Sequence, residues 1–238
     1  MRLGLLECDH VDDRNKDVAG DYRDMFAALL TRAASDLELL PYDVVGGEVP
    51  SSPDECDGWL ATGSRRSVFD DVEWIERASA FVRDLHNAQA PYVGVCFGHQ
   101  LLARSLGGHV ERSPRGWGVG THRLRVRETA AWMQPPERDV DLLFMHQDQV
   151  TQLPESAVLV GTSDHCPLAM FRVGTTMLGI QAHPEFDPRY LERLLRERVG
   201  RIGREQTNEA RASLDTPLDN DIVAHWVVRF LDDGSRDD

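Results

Sequence analysis

Around position 96 the chain reads Tyr92-Val93-Gly94-Val95-Cys96-Phe97-Gly98-His99-Gln100, and this stretch restricts the fold more tightly than any other. A short apolar run enters a cysteine that has glycine two residues away on each side. A helix-forming run, Gln100-Leu101-Leu102-Ala103, leaves it. A strand–nucleophile–helix turn needs this order, because strand and helix pass so closely that a Cβ at either flanking position would be in the way. Such a turn sets the Cys96 sulfur at the positive end of the helix, where unpaired N–H groups favour thiolate over thiol. Cys96 is therefore the candidate nucleophile.

A thiolate nucleophile needs a proton acceptor and a group that orients it. Gln181-Ala182-His183-Pro184-Glu185-Phe186 offers both. His183 supplies an imidazole, and Glu185 can fix its tautomer and stabilise its charged form. If 177–183 is a strand, residues 183 and 185 point to one side of it, and Pro184 ends it. On its own, His-Pro-Glu suits a surface histidine at a strand end; combined with the turn at Cys96 it reads as a base and its partner.

With these two segments the chain resembles the class I glutamine amidotransferases, from about Leu3 to Phe186. The resemblance implies a Cys96–His183–Glu185 triad of nucleophile, base and partner. It implies an α/β fold of three layers, with a flavodoxin-like, mostly parallel sheet and antiparallel additions. Ala61-Thr62-Gly63-Ser64 resembles the family's glycine-containing loop, so Gly63 and Phe97 would give the two backbone donors of an oxyanion hole. Gln100 and the segment Met145-His146-Gln147-Asp148 resemble the family's substrate-holding positions. Arg204–Leu214, followed by a Trp- and Phe-bearing last helix, resembles a stand-alone γ-glutamyl peptidase-like subgroup. So does Thr62-Gly63-Ser64 ahead of Asp70-Asp71-Val72-Glu73-Trp74.

Hydrophobic periodicity predicts the rest. Leu3–Leu6, Leu37–Val45, Gly58–Ala61 and Tyr92–Val95 read as strands, and Asp9–Gly20 as an acidic loop. Tyr22–Ala33, Val72–Leu85 and a run from the turn to Leu106 read as helices. That alternation argues for parallel strands with helices on both faces. From His109 to Ala182 the pattern becomes short β-rich pieces (121–127, 140–145, 158–162, 168–173 and 177–182), as antiparallel additions would give. Helices follow over 191–202 and 222–230. We read residues 1–238 as a single amidotransferase-like domain, with the last ~50 residues as a helical extension packed on it.

Composition narrows the partners. A net charge of −14 argues against nucleic acid, which wants a basic face. No apolar run approaches the ~18 residues of a membrane span and no signal peptide opens the chain, so a cytoplasmic location is expected. Lys16 is the only lysine among 26 basic residues, a bias we attribute to a GC-rich coding sequence. The four cysteines and nine histidines show no metal-ligand spacing, so no metal and no cofactor are expected, and Cys8, Cys56 and Cys166 read as buried thiols.

The expected activity is hydrolysis of the γ-amide of glutamine, or of a γ-glutamyl compound, through a Cys96 thioester. Glutamate and ammonia or an amine would be released. The chain has no Ser-Gly-Gly-x-Asp-Ser loop, Walker A motif or dinucleotide fingerprint with which to activate an acceptor. Three readings follow: the glutaminase partner of a separate ammonia-accepting synthetase subunit, a stand-alone γ-glutamyl peptidase, or a catalytically silent regulatory or ligand-sensing protein. The intact Cys96, His183 and Glu185 weigh against the third.

Overall fold

The computed structural model describes residues 1–127 and 129–233. In chain order, β1 (Arg2–Leu6) leads through a single helical turn, α1 (Lys16–Ala19), to α2 (Tyr22–Leu30) and β2 (Glu38–Tyr42). Then come β3 (Gly58–Ala61), α3 (Glu73–Asn87), β4 (Tyr92–Val95) and α4 (Phe97–Ser105). The second half contains β5 (His109–Arg112), β6 (Gly118–Val126), β7 (Asp139–His146), β8 (Asp148–Gln152), β9 (Ala157–Thr162), β10 (Met170–Val173) and β11 (Met177–Ile180). The helices α5 (Pro188–Ile202), α6 (Arg204–Ala212) and α7 (Asn220–Asp233) follow.

Nine strands form one sheet in the order β2-β1-β3-β4-β11-β10-β9-β6-β7, while β5 and β8 pair in a small sheet of their own. From β2 to β11 the pairings are parallel. From β11 to β7 they are antiparallel. Alternation along the strands feeds two cores. Leu3, Leu5, Leu60, Val93 and Val95 face the layer of α2, α5 and α7. Leu6, Trp59, Ala61 and Tyr92 face α3 and α4. This gives the three-layer α/β arrangement.

The helices start where local chemistry satisfies their free N–H groups. Asp21 accepts the Tyr22 N–H and forms a capping box with Asp24, and Asp187 caps α5 ahead of Pro188. The last helix is deeply embedded: Val223, Ala224, Trp226, Val227, Phe230 and Leu231 are buried in the same core as α2 and β4. Among the described residues no helix is long and apolar enough to cross a membrane.

Several elements depart from the sequence reading. The 37–45 strand is confined to Glu38–Tyr42, because the chain turns at Asp43, whose carboxylate takes the Gly46 N–H at 2.8 Å. The Asp9–Gly20 loop contains the turn α1, where Lys16 pairs with Asp13 and Asp21. The 177–182 strand stops at Ile180: Gln181 donates instead to the Ala169 carbonyl at 2.8 Å and His183 to Leu143 at 2.8 Å. The β5–β8 pair has no counterpart in the sequence pattern, since His109–Arg112 and Asp148–Gln152 each contain one apolar side chain and carry almost no period-two signal.

Candidate functional site

The topology explains why positions far apart in sequence meet. β3, β4 and β11 are adjacent and parallel, so the segments after Ala61, Val95 and Ile180 emerge at one edge of the sheet. Thr62-Gly63-Ser64, Cys96-Phe97 and Gln181–Glu185 therefore converge there. The antiparallel half curls back far enough for β7 to reach this edge, where Leu143 forms an isolated bridge with His183.

Cys96 sits at the tip of β4 with φ 50° and ψ −96°, a conformation that costs a non-glycine residue about 1–3 kcal/mol and persists only where its surroundings enforce it. They do so through hydrogen bonds and close packing. The Cys96 N–H donates to the Ile180 carbonyl at 2.8 Å, and its carbonyl accepts from Gln100 N–H at 3.1 Å. A Cβ on Gly94 would lie 2.3 Å from the Gly98 backbone, and one on Gly98 2.6 Å from the Ala61 carbonyl oxygen. Both glycines are required by contact. The N–H of Phe97, first in α4, has no carbonyl four residues back within the helix to bond.

His183 Nδ1 is 2.7 Å from Glu185 Oε1, and both side chains are almost fully buried. The imidazole is also stacked on Phe186, with ring centroids 4.0 Å apart. Burial works against the charged imidazolium, but the Cys96 sulfur and the Glu185 carboxylate outweigh it and push His183 up to about 10. The two neighbours thus favour the charged imidazolium. Gly63 closes the group: a Cβ there would meet His183 Cε1 at 2.9 Å and Cys96 Cβ at 3.7 Å.

The remaining sequence-selected residues lie around the same cavity. Gln100, Met145, His146 and Gln147 line it together with Cys96. The Gln100 amide donates to the Asp148 carbonyl at 2.7 Å and to Gln181 Oε1 at 3.2 Å, tying β8 and the post-β11 segment to α4. His146 is held neutral, lowered to about 3 by burial and then by His165. Its Nδ1 lies 3.0 Å from the Asp148 carbonyl, so that nitrogen carries the proton and Nε2 is left as a buried acceptor without a partner. His99 lies elsewhere, fully buried against Phe171. Cys8, Cys56 and Cys166 are also buried, and burial raises all three thiols, that of Cys166 to about 12.

Sequence reading missed the charge around the cavity mouth. Arg65, Arg66, Arg112, Arg198 and Arg201 all line it, with Trp117. Their spacing in the chain gives no hint of this, since the loop after β3, β5 and α5 each bring different members. Among the described residues, one His/Asp/Glu group brings its ligand atoms within 4.8 Å of one another: Glu7, His10 and Asp21. These side chains are already engaged with Arg23, Asp43 and Lys16.

Fold and site together define an α/β protein with a buried cysteine–histidine–carboxylate group at one edge of its sheet. The chain belongs to the glutamine amidotransferase class-I family, whose model matches residues 21–199. It is 27% identical to γ-glutamyl peptidase 3 of Arabidopsis thaliana over 93% of this chain and 91% of that protein. It is 29% identical to a glutamine-hydrolysing GMP synthase of Thermosipho africanus over 82% of this chain, but over 37% of that longer protein. A crystal structure of a glutamine amidotransferase from Thermotoga maritima superposes with a TM-score of 0.76 at 18% identity, covering 100% of this chain and 99% of that one, which supports the fold.

Proposed function

We propose that the protein hydrolyses γ-glutamyl amide bonds through a thioester on Cys96, acting on glutamine or on a γ-glutamyl compound as a single catalytic domain. The observation that carries this reading is the meeting of Cys96, His183 and Glu185 at one sheet edge, with His183 raised to about 10 by its two neighbours.

In the reaction, the Cys96 thiolate attacks the γ-carbonyl carbon, and the electron pair of the C=O moves to oxygen. The N–H groups of Gly63 and Phe97 receive that oxyanion, each worth about 3 kcal/mol of barrier. The imidazolium of His183 gives its Nε2 proton to the amide nitrogen, the C–N bond breaks, and ammonia or an amine departs. His183, now neutral, takes a proton from water, which attacks the thioester. The C–S bond breaks, glutamate is released and the thiolate returns. Glu185 holds Nδ1–H throughout and stabilises the imidazolium. Gln100 and the Met145–Gln147 segment would hold the glutamyl α-amino and α-carboxylate groups.

The stand-alone γ-glutamyl peptidase reading is supported by similarity to γ-glutamyl peptidase 3 across nearly the whole of both chains. The reading as a synthetase partner is supported by similarity to a GMP synthase that is matched over 37% of its length. Glutamate release by the purified protein from glutamine and from γ-glutamylglycine tests both readings. Brisk cleavage of the peptide with slow glutaminase activity supports the peptidase. Feeble turnover of both, restored by an ATP-using partner protein, supports the subunit. Undiminished turnover after Cys96→Ala overturns the mechanism.

A further inference from the structure

We propose that Arg198 and Arg201 form an anion subsite for the amine half of the substrate, selecting γ-glutamyl amides whose departing amine carries a carboxylate. This rests on the reading that Cys96 forms the γ-glutamyl thioester and adds what the departing group must look like.

The first observation is placement. Arg198 and Arg201, three residues apart on α5, fall on one helix face. They line the cavity that contains Cys96. They also line a neighbouring cavity whose wall includes Asn15, Tyr22 and Tyr190 and two carboxylates: Asp12, which pairs with Arg14, and Glu197, which accepts from the Asn15 amide. With Arg65 they are the arginines common to both cavities, so an elongated ligand bound in the two would lie across them.

The second observation is charge that the protein itself does not neutralise. The chain has 40 acidic residues against 26 basic ones, and arginines nearby are paired. Arg65 makes two 2.8 Å bonds to Asp9, Arg14 is 2.8 Å from Asp12, and Arg112 is 3.4 Å from Asp148. On α5 itself, Arg189, Arg193 and Arg196 each pair with a carboxylate. Arg198 and Arg201 have no carboxylate in ion-pair range among the described residues. Arg201 lies over the Trp117 ring, 5.3 Å from its centroid, which orients the guanidinium plane without neutralising it. Two planar donors in such a setting match a carboxylate.

A third observation comes from the second cavity. Asn15 is 1% exposed, and its side-chain oxygen has no hydrogen-bond partner while its amide donates to Glu197 at 3.0 Å. An unused buried acceptor in that wall suits the N–H of a peptide-like amine half. A substrate ending at ammonia leaves the arginines and this acceptor idle.

The test compares glutamate release from γ-glutamylglycine, its neutral glycinamide and its aminomethylphosphonate counterpart. The unmodified protein, R198Q, R201Q and the double variant are each assayed, with R196Q as a control on the same helix. We expect the carboxylate to exceed the glycinamide in kcat/KM by about ten- to a hundredfold. That ratio should collapse toward one in the double variant, chiefly through KM, and persist in R196Q. Calorimetric binding of γ-glutamylglycine to Cys96→Ala protein, with and without the two arginine changes, reads the subsite independently of turnover. A ratio near one in the unmodified protein, equal losses on both substrates in the double variant, or a preference for the phosphonate overturns the proposal. Absence of glutamate from every substrate overturns the thioester reading instead, and the calorimetry then decides the subsite alone.

Discussion

The parallel and antiparallel halves of the sheet contribute different things to the same cavity. The parallel half, β2-β1-β3-β4-β11, presents Gly63, Cys96 and His183 just beyond three neighbouring strand ends; a Cβ on Gly94 or Gly98 would strike backbone beside Cys96, and one on Gly63 would strike the His183 ring. The antiparallel half contributes a wall: Met145, His146 and Gln147 at the end of β7, held in place by hydrogen bonds from Gln100 and within the 146–148 turn. The comparison teaches that the turn bearing Cys96 is fixed by contact at two glycines, whereas His183 is held from the antiparallel half, by the Leu143 carbonyl. The wall belongs to the same sheet and the same apolar core, where Leu142, Leu143 and Phe144 join Val93 and Val95, and the bonds of Gln100 add to that packing.

Substitutions should separate the halves by size of effect. Cys96→Ala should abolish hydrolysis, a loss of about 10⁴-fold or more in kcat, while thermal denaturation stays close to that of the parent. His183→Ala should cost about 10³- to 10⁴-fold in kcat, since it removes both the acid and the base. Gly94→Ala should destabilise the fold by about 3 kcal/mol or more, because its Cβ would lie 2.3 Å from the Gly98 backbone; urea unfolding measures this. If it is tolerated without loss, the turn bearing Cys96 is not fixed by that contact. Smaller effects belong to the contacts between halves. Gln100→Ala should raise KM about tenfold with less change in kcat, as the wall loses its tie to α4; a pure kcat effect would assign Gln100 to the chemistry.

One prediction concerns pH. His183 is raised from 6.5 to about 10, so the stability it contributes is fully present below pH about 6.5 and is lost as pH rises through about 10. Glu185→Gln removes one of the two charges that raise it. Its loss of stability and activity should therefore begin at a lower pH than in the parent. Parallel pH titrations of unfolding midpoint and kcat/KM check this, and an unchanged alkaline limb would remove Glu185 from the pairing.

These contrasts also explain what could be read from sequence. The parallel half announces itself because its constraints are local: a glycine two residues either side of Cys96, apolar runs, and helices of clear period. Its junctions are therefore visible without knowing what they touch. Gly63 was legible only by resemblance, since Thr62-Gly63-Ser64 by itself reads as an ordinary turn. The antiparallel half was legible as a set of short strands, but β5 and β8 were not, because with one apolar residue each they are held by pairing to one another. The arginines around the cavity were invisible for a different reason. Arg65, Arg112 and Arg198 come from three separate elements, and only folding brings them to one mouth.

The central claim is that a γ-glutamyl group becomes bonded to the sulfur of Cys96 during turnover. Rapid acid quenching of the protein with a slowly hydrolysed γ-glutamyl anilide, followed by mass spectrometry of its peptides, tests this directly. The account predicts a mass increase of one γ-glutamyl group on the Cys96 peptide, absent from Cys96→Ala protein and matched in time to release of the aniline. Steady aniline release with no adduct on Cys96, or with the adduct on another residue, would contradict it.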